Sequence, residues 1–262
     1  MQDLTVVKIG GNVIDHEGDL SAFLSDFSKI EGRKILVHGG GKVATDIAKS
    51  LGIHTEMIDG RRITSADSLK VVTMVYGGLI NKRIVCQLQA AGCNAIGLTG
   101  ADGNIIEAHK RKIKDIDYGF VGDIDTVNTR PLRDLLESNF SIVFAPLTHD
   151  QQGTLLNTNA DTIAATLASA LAAHYATRLI TCFEKNGVLA EMSNDDSVIP
   201  AISLQDYADL KARGIIIKGM LPKLDTAFSA LKDGVGSVII CNARRLKFAV
   251  NPERQEGTQL YI

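Results

Sequence analysis

Short apolar runs alternate along the chain with longer stretches in which apolar positions recur every three or four residues, the order expected of strands and amphipathic helices around a mainly parallel sheet. Leu4 to Ile9 reads as a first strand carrying Lys8 inside it. Gly10-Gly11 follows, then an amphipathic segment ending near Lys29 with Leu20, Phe23, Leu24 and Phe27 on one face. Lys34 to Val37 is a second strand, and His38-Gly39-Gly40-Gly41 comes directly after it. Val43, Ala44, Ile47, Ala48 and Leu51 then recur at helical spacing, so the segment reads strand, glycine loop, helix.

Further on, Thr64-x-x-Asp67 can act as a capping box for a helix running to about Ala91, with Gly77-Gly78 bending it or allowing close packing. Asn94 to Leu98 reads as a strand. Between Gly100 and Thr126, glycines and aspartates separate short alternating segments, which predicts hairpins on one edge of the domain. Pro131 suits the first turn of a short helix ending near Ser138, and Ser141 to Pro146 reads as a buried strand. Asn157-Thr158-Asn159-Ala160-Asp161 opens an alanine-rich helix from Ile163 to Leu171. Strands are expected over Arg178 to Phe183, Ser237 to Cys241 and Gly257 to Ile262, with helices opening at Ser203-x-x-Asp206 and after Gly219.

Composition narrows the function classes. With 262 residues, 45% of them hydrophobic, the chain can form one large α/β domain or two lobes. Its four cysteines are scattered without C-x-x-C spacing, which favours ordinary buried thiols over disulfides or a structural zinc. The N-terminus lacks a basic region followed by a long apolar run, and no segment approaches ~20 uninterrupted apolar residues, so a cytoplasmic protein without membrane attachment is expected. A formal charge of −2 gives no field to attract nucleic acid or an anionic membrane. Any anionic ligand must be met locally.

Two glycine turns placed directly after strands can present backbone N–H groups to an anion. Gly39-x-Gly41-x-x-Ala44 also satisfies the relaxed dinucleotide pattern, but the carboxylates some twenty residues on, Glu56 and Asp59, lie in a polar stretch where a ribose contact is badly placed. A P-loop fails because Val43, not Ser or Thr, follows Lys42. Lys8 reads either as a strand-end lysine reaching water or as an ammonium held beside Gly10-Gly11. Lys223, at a helix start where the macrodipole disfavours positive charge, is either a solvated cation or one that meets an anion. Asp161 in a first helical turn either complements the dipole or holds lysines. Arg61-Arg62 is either surface charge or a fork for a carboxylate.

Taken together, Lys8-Ile9-Gly10-Gly11-Asn12, His38-Gly39-Gly40-Gly41, Gly60-Arg61-Arg62-Ile63-Thr64, Asn157-Thr158-Asn159-Ala160-Asp161 and Gly219-Met220-Leu221-Pro222-Lys223 resemble the ordered motifs of the N-acetylglutamate kinases, in the amino acid kinase superfamily. The resemblance spans nearly the whole chain. It implies a three-layer αβα sandwich on an open, mainly parallel eight-stranded sheet, with acyl-amino-acid binding and dimerisation in residues 1–173 and ATP binding in 174–262. It also implies ATP-dependent phosphorylation of the side-chain carboxylate of N-acetyl-L-glutamate to N-acetyl-L-glutamyl 5-phosphate, the second step of arginine biosynthesis. Lys8 and Lys223 would flank the transferred phosphoryl group, Asp161 would orient both lysines, and Gly11 and Gly40 would donate backbone N–H groups. Arg62 and Asn157, with Gly40 and Gly41, would hold the substrate. Mg2+ would ride mainly on the ATP phosphates, with no side chain assigned as a metal ligand, and a hairpin lid from the Gly100 to Thr126 region would shield the acyl phosphate from water. The alternatives are N-succinyl-L-glutamate as acceptor, or a non-catalytic nucleotide-binding regulatory module of the same fold.

Two features depart from the family pattern. Cys182-Phe183-Glu184-Lys185-Asn186-Gly187-Val188 stands where many members carry an Asp-Val-x-Gly-Val segment, which makes Glu184 or Lys185 a candidate contact to ATP. The chain also begins at its first strand, without the extension helix of arginine-inhibited hexamers, so a homodimer without arginine inhibition is expected.

Overall fold

The protein, as a computed structural model, is described for residues 1–58, 61–113, 116–216, 219–251, 253, 254 and 256–262, with Arg61 described in its backbone alone. Strand β1 (Asp3–Ile9) is buried along nearly its whole length, as its apolar run requires. The short helix α1 (Gly11–Asp15) and the amphipathic α2 (Glu17–Ser28) follow, and Leu20, Phe23, Leu24 and Phe27 of α2 are all buried. No side chain caps the N-terminus of α2. Four buried side chains at roughly 1.5–3 kcal/mol each far outweigh the ~1 kcal/mol that a cap supplies, so burial holds this helix.

Strand β2 (Arg33–His38) passes through the glycines into α3 (Gly41–Ser50). Ala44 and Ala48 of the expected stripe are buried, whereas Leu51 falls on the C-cap and is 57% exposed, because the helix has already ended. Strands β3 (Met57–Ile58) and β4 (Arg61–Arg62) pair antiparallel. Gly60 of the expected motif lies outside the described residues.

Helix α4 (Ala66–Val72), a π-helical segment (Thr73–Ile80) and α5 (Asn81–Ala90) follow one another directly. The N-cap falls one residue later than the expected Thr64-x-x-Asp67 box: Ser65 is the cap, and its side chain accepts from the Ser68 N–H at 3.2 Å. Thr64 is engaged elsewhere, its N–H donating to the Tyr118 carbonyl at 3.0 Å and its carbonyl accepting from the Phe120 N–H at 2.8 Å. Gly77-Gly78 lies inside the wider π turn, a device common near functional sites.

Strand β5 (Ala95–Leu98) precedes the antiparallel hairpin β6 (Ile106–Ile113) and β7 (Ile116–Val127). Helix α6 (Thr129–Glu137) and strands β8 (Ser141–Phe144), β9 (Leu147–His149) and β10 (Leu155–Asn157) lead to α7 (Ala160–Ala172). Strands β11 (Ala176–Phe183) and β12 (Ala201–Ser203) come next, then α8 (Leu204–Ala212), which opens on a complete capping box between Ser203 and Asp206. Helix α9 (Leu221–Lys232), strand β13 (Ser237–Asn242), helix α10 (Leu246–Ala249) and strand β14 (Thr258–Tyr261) complete the order.

The main sheet has eight strands in the order β12-β14-β13-β11-β1-β2-β8-β5. The β1/β11, β11/β13, β12/β14 and β5/β8 pairs are parallel and β13/β14 is antiparallel, in agreement with the expected α/β class. The hairpin β6–β7 closes with β9 and β10 into a four-stranded barrel, a more enclosed arrangement than free edge hairpins.

The chain divides into two compact units, Met1–Ile35 with Ala164–Ile262, and Leu36–Ile163. In the first, Val6, Val7, Ile9, Ile180, Val238 and Ile240 form a fully buried strand core. In the second, Ile142, Val143 and Phe144 of β8, Ile84 and Leu88 of α5 and Leu132 of α6 do the same.

Candidate functional site

Within the unit Leu36–Ile163, β2 ends at His38 and the chain turns through Gly39 and Gly40 into the first residue of α3, Gly41. Gly40 has φ 145, and a Cβ built there would run into Cδ1 of Ile80 and lie 3.2 Å from Cδ1 of Tyr76. Only glycine fits this turn. Arg62 reaches the same place: its Nη2 donates to the Gly41 carbonyl at 2.8 Å and to Thr45 Oγ1 at 2.7 Å, while Nη1 donates to Thr55 Oγ1 at 3.2 Å. Burial raises the pKa of the Tyr76 phenol, partly offset by the charge of Arg62 and a hydrogen bond from it. Gly40, Gly41 and Arg62 are thus assembled into one group, with a planar guanidinium of fixed orientation beside a glycine turn, the donor chemistry that suits a carboxylate.

Asn157 ends β10, and its Nδ2 donates to Thr64 Oγ1 at 3.0 Å, two residues beyond Arg62. Asn159 then caps α7, its Oδ1 accepting from the N–H groups of Asp161 at 2.8 Å and Thr162 at 3.1 Å. Asp161 stands in the first turn of that helix, where its charge also complements the helix dipole.

In the other unit, Lys8 of β1 is only 6% exposed and sits in register with Thr181 of β11. The Gly10 N–H donates to the Cys182 carbonyl at 3.0 Å, which anchors the turn, and Gly11 opens α1. Cys182 and Cys241 face each other with sulfurs 3.7 Å apart. That hydrogen bond and burial push the Cys182 thiol well up, against the opposing pull of Lys8. The thiol therefore stays protonated at neutral pH. Lys223 is the third residue of α9, half-buried, in a first turn with no side-chain cap.

The segment that departs from the family pattern is tied down by its neighbours. Asn242 Nδ2 donates to the Glu184 carbonyl at 2.9 Å and to Asn186 Oδ1 at 3.2 Å, and Lys185 pairs with Asp195 at 2.7 Å. A pocket of about 550 Å³ lies beside it, lined by Asn186, Val198, Pro200, Arg245, Glu256 and Gly257. Among the described residues no group of three or more His, Cys, Asp or Glu side chains is placed to hold a metal, and no helix is long and apolar enough to cross a membrane.

Thr45, Thr55 and Tyr76, which orient Arg62, and Asn242, which holds the 184–186 segment, escape sequence reasoning. The one signal on offer was Tyr76, whose polar tip within an otherwise apolar stretch calls for a partner.

The family model described as amino acid kinase family matches residues 3–242. The acetylglutamate kinase of Cytophaga hutchinsonii is 56% identical over 261 residues, covering 99% of both chains. That of Bacteroides thetaiotaomicron is 53% identical, covering 99% of this chain and 98% of its own. Among solved structures, smu.665 from Streptococcus mutans UA159 superposes with TM-score 0.80 at 29% identity, covering 99% of both chains. N-acetylglutamate synthase from Neisseria gonorrhoeae, complexed with coenzyme A and N-acetyl-glutamate, gives TM-score 0.85 at 21% identity. This chain spans 59% of that synthase chain, and the likeness there is one of fold.

Proposed function

The chain belongs to the amino acid kinase family, and from that premise we propose that it transfers the γ-phosphoryl group of ATP to the side-chain carboxylate of N-acetyl-L-glutamate. The product is N-acetyl-L-glutamyl 5-phosphate, in arginine biosynthesis. The observation that carries this reading is the 56% identity to an acetylglutamate kinase across 99% of both chains, a span that includes every segment of the candidate site.

The chemistry needs little beyond positioning and charge. A carboxylate is already ionised at neutral pH, so no general base is required. One carboxylate oxygen forms a bond to the γ-phosphorus, the bond from that phosphorus to the bridging oxygen breaks, and ADP leaves with the electron pair. We assign Lys8 and Lys223 to stabilise charge on the transferred phosphoryl group, Gly11 and Gly40 to donate N–H groups to it, and Asp161 to the same catalytic set. Gly40, Gly41, Arg62 and Asn157 hold the substrate. Support for the last assignment is the guanidinium of Arg62 pinned beside the Gly40–Gly41 turn. Acyl-amino-acid binding is assigned to residues 1–173 and ATP binding to 174–262.

The residues present fit a nucleotide-borne cation better than a protein cage, since lysines and backbone N–H groups suit phosphates and no carboxylate cluster is at hand among the described residues. Mg2+ bound to ATP supplies charge neutralisation on the phosphates. The β6–β7 hairpin is assigned as the cover that keeps water from the acyl phosphate. We further assign the protein to the cytoplasm and to a homodimer built on residues 1–173, where Met74 and Leu79 stand 56% and 52% exposed on the π-helical segment. Steady-state ADP release with N-acetyl-L-glutamate, N-succinyl-L-glutamate and no acceptor tests the reading. Acetyl-dependent turnover is expected; turnover on the succinyl compound alone changes the substrate, and none with either overturns the kinase.

A further inference from the structure

The peptide between Gly39 and Gly40 is held from behind by a buried histidine. His38 is fully buried, and its Nδ1 lies 2.8 Å from the Gly39 carbonyl oxygen. A carbonyl only accepts, so Nδ1 carries the ring hydrogen. Nε2 is then the acceptor, and Asn81 Nδ2 donates to it at 3.2 Å while also donating to the Val143 carbonyl at 3.0 Å. Asn81 is 1% exposed, and a Cβ on Gly97 would overlap its Oδ1, so the amide is confined as well. Burial lowers the pKa of His38 to about 4, against the opposing effect of the Gly39 hydrogen bond, and the ring is neutral at physiological pH. A neutral imidazole has one hydrogen, and Asn81 decides which nitrogen keeps it.

The consequence lies one residue on. No peptide bond among the described residues is cis, and in a trans peptide the C=O and N–H point to opposite sides. A carbonyl fixed toward His38 therefore aims the Gly40 N–H the other way. Left alone, a peptide between two glycines has little preference for either orientation, and a flip would replace the donor by an acceptor.

We propose that His38 is a positioning residue for phosphoryl transfer: with its tautomer set by Asn81, it locks the Gly39–Gly40 peptide so that the Gly40 N–H faces the group being transferred. This rests on the assignment of Gly40 as a donor made above. His38→Asn keeps a donor at the Nδ1 position, while His38→Gln moves the amide to the Nε2 position and leaves the Gly39 carbonyl without it. Both are buried amides, and the glutamine is nearer histidine in size, so a merely structural role predicts that Gln is tolerated at least as well as Asn.

The positioning role predicts the reverse. His38→Gln should lose about 10- to 100-fold in kcat with KM for both substrates little changed, a fraction of the roughly 100- to 1,000-fold seen when such a donor is removed outright. His38→Asn should stay within a few-fold of wild type. Equal losses, a better glutamine variant, or a loss confined to KM would overturn the proposal. A readout without turnover is the 15N–1H spectrum of the histidine rings: a neutral Nδ1–H tautomer at His38 supports it and an Nε2–H tautomer sinks it. A wild-type protein inactive toward the acyl glutamates would instead remove the assignment of Gly40, and this inference with it, whatever the ring spectrum shows.

Discussion

Replacing Gly40 by alanine should damage the protein in two separable ways. At φ 145 an L side chain is strained, and holding one there costs roughly 1–3 kcal/mol. Its methyl would also run into Cδ1 of Ile80 and crowd the Tyr76 ring; such overpacking typically costs another ~1–3 kcal/mol. Gly40→Ala should therefore lose about 2–6 kcal/mol, enough to lower the thermal midpoint by at least about 4 °C. Ile80→Val removes the methyl that is struck, at an expense of about 0.5–1.5 kcal/mol on its own. In the double variant the overpacking should be relieved and the backbone strain should remain, so the two changes should be non-additive by about 1–2 kcal/mol. Thermal or urea unfolding of the four proteins, read by circular dichroism, measures this directly. An alanine variant within ~0.5 kcal/mol of wild type, or strictly additive effects, would refute the steric account of the turn.

Two further outcomes follow from named groups. His38 has a folded pKa of about 4 against an ordinary 6.5, so between those values the unfolded chain binds a proton that the native chain refuses. The stability from neutral His38 is present above pH 6.5 and is lost as pH falls through 4, by up to about 3 kcal/mol at 1.36 kcal/mol per unit. Urea unfolding of wild type and His38→Asn across that range should diverge, and parallel curves would contradict it. Arg62→Lys keeps the charge but loses the fork that reaches the Gly41 carbonyl, Thr45 and Thr55. We expect KM for the acyl amino acid to rise about ten-fold or more with KM for ATP little changed; unchanged binding of the acyl amino acid would speak against the fork.

Much of the fold was legible because long apolar periodicity survives folding: the α2 stripe of Leu20, Phe23, Leu24 and Phe27 and the Ser203/Asp206 capping box appear as read. The start of α4 was misread by one residue because Thr64 and Ser65 are both competent caps, and the choice is made by the backbone bonds of Thr64 to Tyr118 and Phe120, far along the chain. Strands β3, β4, β9 and β10 have two or three residues each, too few to show a period. The glycine turn and Arg62 were legible as candidates because each residue type has a strong chemical preference. Their supports were not: Tyr76, Thr45 and Asn81 are ordinary helix residues in sequence and meet the turn only through the packing of α3, the π-helical segment and α5.

The measurement that bears most directly on the central claim is trapping of the acyl phosphate with hydroxylamine, using ATP, Mg2+ and N-acetyl-L-glutamate, for wild type beside Lys8→Ala. The account predicts hydroxamate from wild type and a rate lower by about 100-fold or more from the variant. A folded wild-type protein that forms no hydroxamate, or a Lys8→Ala variant as fast as wild type, would contradict it.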